Sequence, residues 1–319
     1  MLHWGTVCAV LDLTRPDPIA LSMTSHVHHR FGGLDLGVAA AMNLMWGLNL
    51  VAVKMAVDLT EPMTAALLRQ VIVLAVCFPA LKIIPGKMRE LIGLGLLSGG
   101  IFYIVTNLSL AVSDNISALA IAGQLGVPFS LILAMIFLGE RVHKVRMFGM
   151  ALSFAGVVLL VFDPAAAREV PGIALTAVAS LIWAFCSLIQ RRLIGTPVLT
   201  IYAWIGLIGT LVLFPIAYIF EPETVRAVPS LPLSTLGWIA FSAIGSTVIG
   251  QGAMSWLLQR HAVSTVVPLT LAAPIIAVLA STFYFHTPLT WVMILGGMIA
   301  MTGVAIVTVR TAQAGEGRT

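Results

Sequence analysis

VLTIYAWIGLIGTLVLFPIAYIF, residues 198–220, runs for 23 residues without one charged side chain. A helix of that length spans a hydrocarbon core about 30 Å thick, where only a helix or a closed barrel satisfies its own backbone. Outward from it, nine further apolar runs bounded by charged or Pro/Gly-rich breaks read the same way: 36–57, 63–81, 91–112, 116–139, 145–162, 173–190, 236–258, 263–285 and 291–309. None shows the two-residue alternation of a lipid-facing barrel strand. The 319 residues are 59% hydrophobic and 9% charged, against about 25% charged in an average soluble domain. The expected fold class is an all-α membrane protein with ten transmembrane helices, and the lipid bilayer is its first partner.

Orientation follows from Lys and Arg, which resist translocation and collect on the cytoplasmic side. Alternate loops carry thirteen of the seventeen on one side and only Arg168 and Arg226 on the other, with Lys54 and Arg69 inside spans. Both termini are therefore expected in the cytoplasm. The net charge of +4 is topological and gives no reason to expect a nucleic-acid partner. The halves also echo each other. Trp46 and Lys54 lie eight residues apart, as do Trp183 and Arg191, and a constant offset of 147 pairs Ser117 with Ser264, Gly149 with Gly296 and Gly156 with Gly303. Five helices per half would make the second half enter the membrane from the opposite face, an inverted repeat built for alternating access around a midplane site. The division expected is a flexible tail over 1–33, repeats over 34–162 and 170–310, and a short tail over 311–319. Nothing before Leu36 is needed for the first span, so the sequence is compatible with a start at either Met1 or Met23.

Four stretches carry a family resemblance: WGLNLVAVKMAV (46–57), EPMTAALLRQ (61–70), MIFLGERV (135–142) and SFAGVVLLV (153–161). In this order on a ten-span plan they resemble the EamA-type carriers of the drug/metabolite transporter superfamily, over about residues 34–310 and more closely in the first half. The resemblance implies two inverted five-helix repeats in the inner (plasma) membrane, a central cavity ringed by helices 1, 3, 4, 6, 8 and 9, and often export of amino acids or related metabolites. Residues 246–268 also look like members that export cysteine-pathway metabolites. The chain departs from the family pattern at the end of the ninth run, where FHTPLT places Thr287 at the offset that Glu140 occupies in the fourth. Glu140 itself lies among Arg141, Lys144 and Arg146, which suits an ion pair at a helix end.

Polar groups inside lipid are costly, so each is a candidate for the substrate path. Asn43, Trp46 and Asn49 recur at spacing three and share a helix face, as do Tyr103 and Asn107 at spacing four. Gln124 lies mid-span, Trp183 pairs with Ser187, and Gln251 with Ser255. The expected substrate-binding set is Trp46, Asn49, Tyr103, Asn107, Gln124, Trp183 and Gln251, although an Asn or Gln also bridges helices without touching substrate. Lys54 and Arg69 are candidates for anion contact, with snorkelling and helix packing as the competing roles. Pro128, Pro268 and Pro274 are candidate hinges.

No Asp or Glu falls in the interior of an expected span, which disfavours proton-coupled export of lipophilic cations. A neutral or zwitterionic small-molecule metabolite fits the amides, hydroxyls and rings better. No cofactor is expected: there is no phosphate-cradling glycine loop with Lys and Ser/Thr, and no catalytic or metal-ligating set. His26, His28 and His29 read as a solvated tail, and Cys8, Cys77 and Cys186 as packing residues. The sequence thus points to a secondary exporter of amino-acid-like metabolites, a monomer or homodimer, with an organic-anion exchanger or importer as the alternative. A membrane-embedded enzyme or scaffold subunit is the more distant one.

Overall fold

A computed structural model describes residues 32–138, 142–163, 169–258, 260–261 and 263–316. Cys8, the His26, His28 and His29 tract, Glu140, Arg141 and Arg168 lie outside them, as do the side chains of Ser264 and Arg310. Among the described residues every long element is a helix: α1 (Gly33–Leu59), α2 (Pro62–Ala80), α3 (Met88–Ala111), α4 (Ile116–Phe137), α5 (Lys144–Val161), α6 (Val170–Arg192), α7 (Val198–Phe220), α8 (Leu233–Leu258), the pair Val263–Leu269 and Ala272–Phe285 forming α9, and α10 (Trp291–Glu316). Nine are long and apolar enough to cross a membrane.

The ninth run, expected as one helix over 263–285 with candidate hinges at Pro268 and Pro274, is interrupted between these two prolines. Pro274 has no N–H for the carbonyl of Thr270, and the chain closes tighter turns there, Leu271 N–H to Pro268 O at 3.2 Å and Ala273 N–H to Thr270 O at 3.2 Å. The same chemistry acts in α4, where Pro128 cannot bond Gln124 O and the helix tightens to 3-10 over Gly123–Leu125. Helix ends follow local rules too. Pro62 opens α2 at a position whose N–H has no intrahelical partner, and Asn115 caps α4 by accepting the Ala118 N–H. Gly86 (φ +78) and Gly195 (φ +85) turn the chain after α2 and α6, where a side chain would be strained.

Packing is closest where glycines let backbones touch. Along α5 and α10 the fit is reciprocal: a Cβ on Gly149 would lie 2.9 Å from Gly303 O, one on Gly156 2.5 Å from Gly296 O, and one on Gly296 2.7 Å from Gly156 O. Ser153 Oγ donates to Ala300 O between them at 3.3 Å. The other extensive pairings are α2 with α7, α4 with α9, α1 with α8 and α9, α6 with α3 and α4, and α7 with α3. Two helices widen into π-helical turns, α3 over Gly95–Ile101 and α8 over Phe241–Gly250.

The two ends of the bundle are closed differently. The ends of α1, α3, α5, α7 and α9 gather around one continuous apolar cluster of seventeen buried residues, among them Val53, Leu110, Ile116, Leu119, Leu160 and Met293. Polar links tie helices across this end. The Lys54 ammonium donates to Leu110 O (2.9 Å) and Ser113 O (3.0 Å), Asn115 Nδ2 to Pro288 O (3.3 Å), and the Thr290 hydroxyl to Asp163. Glu221, 9% exposed, accepts from the Met63 and Thr64 N–H groups (2.8 and 2.7 Å) and the Thr64 hydroxyl (2.8 Å), placing a carboxylate at the positive end of α2. The opposite end has smaller apolar clusters instead of one, among them Leu91, Leu94, Cys186, Leu193 and Ile205 on one side, Ala39, Met42, Leu257 and Val266 on the other, and Val73, Cys77, Ala203 and Ala243 where α2 meets α7. Polar links there include Trp204 Nε1 to Lys82 O (2.9 Å), Thr200 Oγ1 to Ala80 O (3.0 Å), the Lys87 ammonium to Arg192 O, and a contact of 3.0 Å between His261 Nε2 and the Asp35 carboxylate, each within one side.

Candidate binding cavity

A cavity of about 50 Å³ lies inside the bundle, walled by both halves of the chain. Arg69, Gln70 and Val73 come from α2, Ser98 and Tyr103 from α3, Trp183 from α6, Tyr202 and Ile205 from α7, and Ser246, Thr247 and Gln251 from α8. The π-helical turns of α3 and α8 contribute Ser98, Ser246 and Thr247; such turns widen a helix and often mark functional sites.

Arg69 is 6% exposed. Its Nε donates to Ser242 Oγ and its Nη2 to Thr247 Oγ1, both at 3.2 Å, and its guanidinium carbon sits 4.2 Å from the Tyr103 ring centroid. All three partners are neutral: two hydroxyls and a π face that attracts a cation without cancelling its charge. Among the described residues no carboxylate stands within ion-pairing distance of this guanidinium. Gln70, fully buried, has neither its amide nitrogen nor its amide oxygen hydrogen-bonded. It fits because Gly209 has no side chain: a Cβ there would lie 2.9 Å from Gln70 Cγ. Tyr103, Phe102 and Trp183 form a linked aromatic wall with centroids 5.1 and 5.3 Å apart. A second pocket of about 10 Å³ lies on another side of Arg69, lined by Asn107 and Ser242 among apolar residues.

The structure brings four of the sequence candidates onto the main cavity: Tyr103, Trp183, Gln251 and Arg69. Asn107 faces the second pocket and donates to Pro62 O at 2.8 Å. Trp46 is elsewhere, seated on Gly250 with its indole N–H on Ser246 O at 3.2 Å. Asn49 is half-buried with an unpaired amide oxygen, and Asn43 bonds back to Ala39 O; neither lines either of these two pockets. Gln124 also turns to its own helix, bonding Ala120 O at 3.4 Å. Lys54 is fully occupied at the closed end, on Leu110 O near the end of α3, on Ser113 O just beyond it and on Asp58 at 2.8 Å. Pro128, Pro268 and Pro274 lie in helices off the cavity wall. The site adds Gln70, Ser98, Tyr202, Ser246 and Thr247 to what spacing suggested. Gln70 had a signal, since Arg69-Gln70 is a polar pair inside an apolar run.

Comparison with known proteins agrees with this architecture. Residues 35–162 and again 170–309 match the EamA-like transporter family. A "Probable amino-acid metabolite efflux pump" of Escherichia coli (strain K12) is 24% identical over 279 residues, covering 84% of this chain and 93% of that protein. An "Uncharacterized transporter" of Archaeoglobus fulgidus is 28% identical, covering 85% and 97%. A protein of known crystal structure superposes with a TM-score of 0.60 at 19% identity, over 87% of this chain and 98% of the other, a likeness of fold alone. With both halves matched, the chain belongs to the EamA-like transporter family, and it is a multi-pass membrane transporter.

Proposed function

We propose that this transporter exports small amino-acid-like metabolites by alternating access, its two five-helix repeats, 34–162 and 170–310, inverted in the membrane. The observation that carries the reading is the cavity, a polar and aromatic chamber walled by α2 and α3 from one half and α6, α7 and α8 from the other. The repeat is supported by the pairing plan: α3 with α6 answers α8 with α1, α3 with α7 answers α8 with α2, and at the 147-residue offset the Gly149–Gly303 contact maps onto Gly296–Gly156. The loop charges support cytoplasmic termini in the inner membrane. The substrate class draws on the efflux pump among its relatives. Tyr103, Trp183 and Gln251 are its contacts, and Pro128, Pro268 and Pro274 give α4 and α9 their flexure.

The test is efflux of preloaded labelled amino acids, cysteine and O-acetylserine among them, from cells with and without the protein at matched membrane expression. Protein-dependent efflux reduced by Gln251→Ala supports the reading. Absence of efflux for every amino acid from inserted protein sinks it. One observation favours a second reading, transport of organic anions: Arg69 lines the cavity. Efflux or uptake of carboxylic acids lacking an amino group would select it.

A further inference from the structure

We infer that Arg69 and Gln70 form a station for a carboxylate, so that the ligand of this cavity must carry a free carboxylate. The inference rests on the cavity being the transport site, and it concerns which part of a substrate the site requires.

The argument begins with an imbalance. A guanidinium has five N–H donors in a planar fork, and two of Arg69's are used on hydroxyls, leaving three. None of the residues lining the cavity is acidic. A buried cation whose partners are only neutral is expensive, because hydroxyls and a ring cannot replace its hydration. Lys54, the other cation well inside a helix of this half, gives the contrast: two carbonyls and a carboxylate take up its ammonium. Arg69 is treated differently. Ser242, Thr247 and Tyr103 fix its plane and leave its charge unspent.

Gln70 supplies an independent observation. It is the adjacent residue, it is fully buried, and it lines the same cavity with both amide atoms unpaired. Buried side-chain amides are nearly always satisfied, so one left wholly open beside an uncompensated cation points to a ligand that completes both. A carboxylate does so. Its two oxygens match the guanidinium fork and the Gln70 N–H, and the Gln70 oxygen is left to accept from an N–H or O–H of the same ligand. A cavity of about 50 Å³ holds a headgroup and a few atoms, so larger substrates enter fully only as the halves part.

Thermal unfolding of the purified full chain in detergent isolates the carboxylate, with propionate as the probe, isosteric propionamide as the control, and sodium chloride matched for ionic strength. Propionate should raise Tm, and propionamide and chloride should not. Gln70→Leu removes both unpaired atoms, so it should unfold at a higher temperature while binding propionate about tenfold more weakly. Arg69→Lys keeps the charge and loses the fork, and should weaken propionate by at least as much. Equal stabilisation by propionate and propionamide, or none by either, overturns the station. An equal shift from chloride reduces it to a generic anion site and overturns the carboxylate claim. Amino-acid efflux without carboxylate-dependent stabilisation would leave the carrier and remove the station; stabilisation without efflux would do the reverse.

Discussion

The first half of the chain buries two cations well inside its helices, Lys54 and Arg69, and a third, Arg146, in the first turn of α5, while the second half has its bases near helix ends and in loops. The backbones of the two halves are far more alike. Each has a glycine at positive φ after its second or first long helix, at Gly86 and Gly195, and each has one helix widened into π turns, α3 and α8. A shared scaffold therefore carries one-sided chemistry. Within the first half Lys54 and Arg69 differ as well: at 7% and 6% exposed they are equally buried, but one is neutralised at the closed end and the other stands open on the cavity. Burial alone does not separate structural from functional charge; the partners do.

The largest effect should come from disturbing what the halves share. Gly156→Val would drive a side chain into the backbone of α10, where a Cβ already lies 2.5 Å from Gly296 O, and should cost about 3 kcal/mol or more. Gly296→Val should cost a similar amount, and a large difference between the two Tm values would break the reciprocity. Next is the chemistry they do not share. Arg69→Leu should leave a folded protein, since an apolar residue replaces an unneutralised cation, and should lower efflux about a hundredfold, or roughly 2.7 kcal/mol. Efflux near wild type at matched expression would remove Arg69 from the site.

Glu221→Gln should lower stability by about 1–2 kcal/mol, because a neutral amide accepts less strongly from the Met63 and Thr64 N–H groups and interacts less with the start of α2. The smallest change expected is Lys54→Met. It uncaps the end of α3 at a cost of about 1 kcal/mol, with the concentration dependence of efflux unchanged. Altered substrate affinity in that variant would erase the distinction drawn between the two cations.

The apolar runs made the membrane fold legible, because length and the absence of charge are read directly from residues such as 198–220. The break in α9 was half legible: Pro268 and Pro274 stand in the sequence, but the length of the run gives no sign of interruption. The π-helical turns left no readable pattern, and with them Ser98, Ser246 and Thr247 went unnoticed. The cavity was partly legible for a physical reason. In a soluble protein a polar face points to water, whereas here lipid and protein neighbours are both apolar, so spacing groups residues on a face without saying what the face meets. Tyr103, Trp183 and Gln251 meet the cavity, but Trp46 meets Gly250 and Gln124 its own helix. Arg69 was visible as a charge, and its lack of a counter-ion needed the three-dimensional arrangement of every carboxylate around it.

The glycine seam between α5 and α10 also constrains how the sequence can change over generations. Since Gly149 abuts Gly303 and Gly156 abuts Gly296, a larger residue in either half meets the backbone of the other, and no side-chain substitution opposite can make room. Compensating pairs of mutations, the usual route by which packed residues drift, are closed to these four positions. Elsewhere the halves are free to diverge until they scarcely resemble each other; along this line they must stay the same.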